Sequence, residues 1–69
     1  MVAKRYTFDG TTYIEYEDGR RVIAEDRYFN KLEEAPIERV PHSEYGFEMD
    51  TGKVYVFDEE NKKWQLLTT

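Results

Sequence analysis

A β-hairpin is most clearly encoded by one stretch of the chain, Tyr45-Gly46-Phe47-Glu48-Met49-Asp50-Thr51-Gly52-Lys53-Val54-Tyr55-Val56-Phe57. Bulky side chains recur at every second position of its first half, which is the period of a β-strand. The polar run from Asp50 to Lys53 contains a glycine and predicts the turn. Residues 54–57 are apolar at every position, so we expect this strand to lie centrally in a sheet, with both of its faces covered.

Further strands are predicted on both sides of this hairpin. Two Asp-Gly turn dipeptides, at 9–10 and 18–19, separate three short segments of alternating or apolar sequence and predict a meander of two tight hairpins. A polar loop at 58–63 precedes a last segment that contains the single tryptophan. With the hairpin above, six strands are expected, and the additional four lie at residues 4–8, 11–16, 21–24 and 64–67.

The segment between the hairpins has two interpretations. A short helix is predicted by apolar residues with the spacing of one helical face: Tyr28, Phe29, Leu32 and Ala35. Asp26 could cap this helix and Pro36 could end it. Alternatively, the third strand continues through Tyr28 and Phe29, and residues 30–35 form a loop. In both cases Pro36 and Pro41 frame an extended connector, because proline disfavours a central sheet position.

The expected fold class is mainly β, a small antiparallel sheet or barrel-like meander of about six strands with one short helix in the middle. A single small domain spans residues 1–69, with hairpins at 4–25, a helix or connector at 26–42 and hairpins at 43–67. The predicted core consists of Phe8, Ile14, Val22, Phe47, Val56, Trp64 and Leu66. A core of this size is marginal for 69 residues without cysteine, so self-association would help to stabilise it.

The negative charge is concentrated in the middle of the chain. Residues 25–50 contain eight acidic and three basic residues, which accounts for the whole formal charge of −5. An acidic segment argues against binding to a phosphate backbone, so we expect no nucleic-acid partner. It permits attraction to a basic protein surface, for which the candidate residues are Glu33, Glu34, Glu38 and Glu44. The alternative is that these acids simply solvate a connector.

Few residues could carry out bond-making chemistry. His42 and Ser43 are the single histidine and serine, and as neighbours they would point to opposite faces of a strand. One histidine and no cysteine cannot supply a zinc site, and the acids at 58–61 lack the spacing of a calcium loop. Residues 50–53 resemble the end of a phosphate-binding loop but lack its first glycine and the following helix. We therefore expect no catalytic residue, metal or cofactor, and no enzyme.

Aromatic residues are the most prominent feature of the composition. Six tyrosines, four phenylalanines and one tryptophan make up 16% of the chain, and a small sheet cannot enclose all of them. An exposed aromatic face for protein binding is predicted at Tyr13, Tyr16, Tyr28 and Tyr55. No apolar run approaches the roughly 20 residues needed to cross a bilayer, so no membrane partner is expected.

Residues 46–64, with the motif Glu48-Met49-Asp50-Thr51-Gly52-Lys53-Val54-Tyr55-Val56-Phe57-Asp58-Glu59-Glu60-Asn61-Lys62-Lys63-Trp64, resemble a pattern in small proteins of bacteriophages and prophages of Gram-positive bacteria. Residues 6–13 are similar to the same group. The resemblance implies a phage origin and carries over no catalytic residue. The expected function is therefore a non-enzymatic viral structural or interaction module, an accessory virion component that binds a protein partner or its own copies, located in the virion or host cytoplasm. The alternative is an acidic inhibitor of a host defence protein that binds nucleic acid.

Overall fold

The computed structural model describes residues 3–68, which form seven β-strands and one 3-10 turn. The strands are β1 (Ala3–Phe8), β2 (Thr11–Tyr16), β3 (Arg21–Ile23), β4 (Asp26–Phe29), β5 (Tyr45–Glu48), β6 (Lys53–Asp58) and β7 (Lys63–Thr68). About half of the described residues are in strands, so the prediction of a mainly β fold is confirmed. None of the helical segments in this part of the chain is long and apolar enough to cross a membrane.

The strands form two sheets. A three-stranded sheet has the order β1-β2-β3 and is antiparallel, as expected for a meander with Asp-Gly turns. Gly10 and Gly19 have φ angles of 80° and 91°, which other residues rarely adopt. A four-stranded sheet has the order β4-β5-β6-β7, and its hairpins β5-β6 and β6-β7 are antiparallel.

The pairing of β4 with β5 is parallel, which differs from the expected all-antiparallel arrangement. Residues 30–44 separate the two strands, and parallel neighbours require a crossover of about a dozen residues or more. This crossover, here called the connector, carries the chain back to the end of the sheet where β4 began. The two prolines predicted to frame an extended segment lie within it.

The prediction of a helix in the middle of the chain is wrong, because only a 3-10 turn forms at Leu32–Glu34. Tyr28 and Phe29 belong to β4, where they point to opposite faces: Tyr28 is 65% exposed and Phe29 is buried. Phe29, Leu32 and Ala35 pack in one cluster although they are not on a helix. The helix-like spacing therefore arose from a strand followed by a loop over the same core, which is close to the alternative interpretation.

The main core lies between the four-stranded sheet and the connector. Its buried residues are Phe29, Val40, Tyr55, Phe57 and Trp64. The Trp64 indole Nε1–H donates a hydrogen bond to the Pro36 carbonyl oxygen at 2.9 Å, which attaches the connector to β7. Gly46 leaves room for two of the rings, because a Cβ atom there would lie 2.7 Å from Trp64 and 2.8 Å from Phe29.

The three-stranded sheet contacts the opposite face of the four-stranded sheet. Val56 points to that face, because its neighbours Tyr55 and Phe57 point to the connector. Tyr45 pairs with Val56 and Asp26 pairs with Tyr45, so both lie on the same face as Val56. The Arg5 guanidinium from β1 lies 4.1 Å from the centre of the Tyr45 ring and 3.9 Å from the Asp26 carboxylate. It also donates a hydrogen bond to the Ser43 carbonyl oxygen at 3.0 Å. The four-stranded sheet thus has the connector on one side and the three-stranded sheet on the other.

The position of β6 agrees in part with the expectation for residues 54–57. The strand is central, between β5 and β7. Tyr55 and Phe57 are buried on the side of the connector, whereas Val54 and Val56 on the other side are only half-buried. One face of β6 is therefore fully covered and the other is partly covered.

The predicted core needs several corrections. Ile14 and Trp64 are buried, whereas Val22, Phe47 and Val56 are half-buried. Phe8 and Leu66 are 69% and 49% exposed, because Phe8 ends β1 on the uncovered side of its sheet and Leu66 lies on an outermost strand. The buried residues outside the predicted set are Tyr16, Phe29, Val40, Glu44, Gly46, Tyr55 and Phe57.

Candidate protein-interaction surface

One face of the three-stranded sheet carries aromatic and apolar side chains in cross-strand rows. The strand register places Tyr6, Tyr13 and Ile23 side by side, with Phe8 opposite Thr11 in the next row. A charged row formed by Lys4, Glu15 and Arg21 lies on the other side of the aromatic row. We call this set of eight side chains the outer face.

The outer face is open to solvent along its apolar rows. Phe8 and Ile23 are 69% and 60% exposed, and Tyr6 and Tyr13 are half-buried with ring centres 5.7 Å apart. The contacts of Arg5 with the four-stranded sheet leave from the opposite face of the same sheet. Ile14, which is fully buried, also belongs to that opposite face.

Hydrogen bonds and a cation–π interaction connect the charged row of the outer face to its tyrosines. The Arg21 guanidinium donates to the Tyr6 hydroxyl at 3.3 Å, and that hydroxyl donates to the Glu15 carboxylate at 3.2 Å. Arg21 also lies 5.2 Å from the centre of the Tyr13 ring, within range of a cation–π interaction. The hydrogen bond with Tyr6 raises the pKa of Arg21. These contacts hold the two tyrosine rings in place.

The four tyrosines predicted to form an exposed aromatic face do not share one surface. Tyr13 lies on the outer face, whereas Tyr28 is exposed on the four-stranded sheet, where it stacks on Phe47 at 5.1 Å. Tyr16 and Tyr55 are each only 6% exposed, so their assignment to an exposed face is wrong. Both rings fill interior space, and both hydroxyls donate to carboxylates.

The sequence interpretation missed Tyr6, Phe8 and Ile23 as surface residues. Tyr6 and Phe8 alternate on β1, which indicates a common face but not which face of the sheet is covered. Arg5 determines which face is covered, because its contacts hold the Ile14 side of the sheet against the rest of the chain. Burial of the opposite side leaves the aromatic side open.

The proposed acidic surface also needs correction. Glu44 is 1% exposed, accepts a hydrogen bond from the Glu25 backbone N–H at 3.2 Å, and forms an ion pair with Arg27. It is therefore an interior residue that holds the start of β4 beside the start of β5. Glu33 and Glu34 are exposed in the 3-10 turn. Glu38 is exposed and lies 3.6 Å from the Lys62 ammonium group.

The residues considered above for catalysis or metal binding make hydrogen bonds within the fold. The His42 Nδ1 atom accepts a hydrogen bond from the Glu59 backbone N–H at 3.1 Å, and Ser43 donates its N–H to the Phe57 carbonyl oxygen. Asp58 accepts hydrogen bonds from Asn61, which lower the pKa of Asp58. Within residues 3–68 no three histidine, aspartate or glutamate side chains converge to hold a metal ion.

Comparisons with protein-family models, curated proteins and solved structures found no match to this chain.

Proposed function

We propose that the chain is a non-enzymatic protein-interaction module that binds an extended segment of a partner polypeptide on its outer face. The observation that carries this proposal is the open row of Tyr6, Tyr13 and Ile23 next to the exposed Phe8. Aromatic residues with an adjacent polar rim are typical of the centres of protein interfaces. Tyr6 and Tyr13 supply apolar area that is already ordered by Arg21 and Glu15.

The size of the outer face favours a segment over a folded partner. Two strands of six residues and one of three, about 4.8 Å apart and with about 3.3 Å per residue, cover roughly 240 Å². A stable interface between folded proteins buries about 800 Å² on each side. An extended peptide of about six residues matches the smaller area, so a second copy of the chain is not the proposed occupant.

The charges of the outer face favour a segment with at least one acidic residue. Lys4 and Arg21 are the cations of the charged row, and its single acid, Glu15, already accepts a hydrogen bond from Tyr6. The chain as a whole has a formal charge of −5, so this row differs in sign from most of the molecule. A partner carboxylate next to the apolar rows would complement it.

The proposal that this module is an accessory virion component of a phage rests on the resemblance of residues 46–64 alone. The alternative, an acidic inhibitor of a host defence protein, stays a prediction that now involves Glu33, Glu34 and Glu38. A decoy of that kind would lose affinity steeply as salt rises, whereas binding to an aromatic face would persist at several hundred millimolar salt.

Selection of binders from a displayed library of random 12-residue peptides tests the proposed surface. We expect enriched peptides that combine apolar residues with an acidic one. Phe8→Ser or Ile23→Ser should weaken their binding by about 30-fold or more, as for central interface residues. Tyr28→Ser is the matched control, because Tyr28 is 65% exposed but lies on the other sheet.

Three results would contradict the proposal. The first is a set of binders that are equally sensitive to Tyr28→Ser, and the second is a library without any enriched binder. The third is a dimer of the wild-type chain in sedimentation at micromolar concentration that Phe8→Ser dissociates, since this would assign the outer face to a second copy. Binding that disappears both at 0.5 M salt and on charge reversal of Glu33, Glu34 and Glu38 would support the acidic alternative instead.

A further inference from the structure

Three hydrogen bonds close a ring between segments that are distant in the sequence. The Tyr16 hydroxyl at the end of β2 donates to the Glu59 carboxylate at 2.7 Å and accepts the His42 backbone N–H at 3.0 Å. The Glu59 backbone N–H donates in turn to His42 Nδ1 at 3.1 Å. The ring joins the three-stranded sheet to the connector and to the turn after β6.

This ring of hydrogen bonds requires one particular protonation form of the His42 imidazole. A nitrogen that accepts a hydrogen bond carries no proton, so His42 must be neutral with its proton on Nε2. Burial raises the pKa of Tyr16, which keeps its hydroxyl protonated and able to donate to Glu59. When Nδ1 takes up a proton, it becomes a donor that faces the Glu59 N–H, and this bond cannot persist.

The surrounding charges favour a new position for the protonated ring. Asp58 and Glu59 are the adjacent acids, and hydrogen bonds from Asn61, with a smaller effect of Gln65, lower the pKa of Asp58. The Arg20 guanidinium lies 4.4 Å from the centre of the Tyr16 ring. An imidazolium that turns from the Glu59 N–H toward a carboxylate exchanges an accepted bond for a donated one, and the ring of hydrogen bonds opens.

We propose that His42 is a pH-sensitive latch that holds the turn after β6 against the connector when neutral and releases it when protonated. The two hydrogen bonds of the Tyr16 hydroxyl involve the Glu59 carboxylate and the His42 backbone N–H, not the imidazole, so they persist when the imidazole is protonated. Release therefore frees the Glu59 backbone N–H while the three-stranded sheet stays attached. The latch operates within the chain and does not depend on the proposed partner.

Amide hydrogen exchange of Glu59 between pH 8 and 5.5 tests the latch. In the wild-type chain we expect the protection factor, corrected for the intrinsic rate, to fall about tenfold over this range, as for the loss of one hydrogen bond. His42→Asn is the matched control, because its Oδ1 atom can accept the same bond and does not titrate, so its protection should stay constant. His42→Ala has no acceptor and should show low protection already at pH 8.

Equal protection at both pH values in the wild-type chain, or the same loss in His42→Asn, would overturn the proposal. The ¹⁵N chemical shifts of the imidazole give a test without any substitution. At pH 8 they should show an unprotonated Nδ1 and a protonated Nε2. The opposite tautomer would exclude the latch.

Discussion

Replacement of Arg27 by alanine is expected to destabilise the fold strongly at neutral pH. The Glu44 carboxylate is 1% exposed and interacts with the Arg27 guanidinium and the Glu25 N–H. Without Arg27 it keeps the Glu25 N–H as its remaining donor. Removing one partner of a buried ion pair costs about 3–5 kcal/mol, because the other charge stays buried without compensation.

Partial exposure of Arg27 limits this cost. Its side chain is 32% exposed, so water compensates part of the loss. We expect Arg27→Ala to lower the free energy of unfolding by about 3 kcal/mol at pH 7.

Urea denaturation at pH 7, followed by fluorescence of the single tryptophan, measures this cost. Arg20→Ala is the control, because Arg20 and Asp18 form an ion pair in which both side chains are more than half exposed. Such an exposed pair contributes little to stability, so this variant should unfold close to wild type. A cost of Arg27→Ala below about 1 kcal/mol would refute the reasoning.

Two further substitutions test the packing and the hydrogen bonds of the four-stranded sheet. Gly46→Ala should lower the free energy of unfolding by about 1–3 kcal/mol, because the new Cβ atom would lie 2.7 Å from Trp64 and 2.8 Å from Phe29; unchanged thermal stability would contradict this. Glu48→Gln should be less stable than wild type above pH 5 and approach it as the pH falls below about 4.5. The hydrogen bond from Thr51, followed by that from the Leu32 N–H, lowers the pKa of Glu48, so its stabilising effect is present above the unfolded-state value and disappears as the carboxylate is protonated. A difference that stays constant down to pH 3 in a denaturation series would disprove this role.

The proposed interaction surface was only partly predictable. Tyr13 was identified among the exposed aromatics, and Tyr6 and Phe8 alternate in a way that indicates a shared face. Burial of Tyr16 and Tyr55 could not be predicted, because the pattern of a strand shows which residues share a face and not which face is covered. That choice depends on contacts between segments far apart in the sequence, such as Arg5 with Tyr45.

Local sequence determined the strands and turns of this protein. Alternating bulky residues and Asp-Gly pairs act over a few neighbouring positions, and both N-terminal hairpins and the hairpin around Gly52 form where these signals lie. Tertiary structure decided the rest: the parallel pairing of β4 with β5, the interior position of Glu44 and the exposure of Phe8. These features arise from the burial of one sheet face against another and from the pairing of a charge across 17 residues, neither of which is encoded in a local pattern.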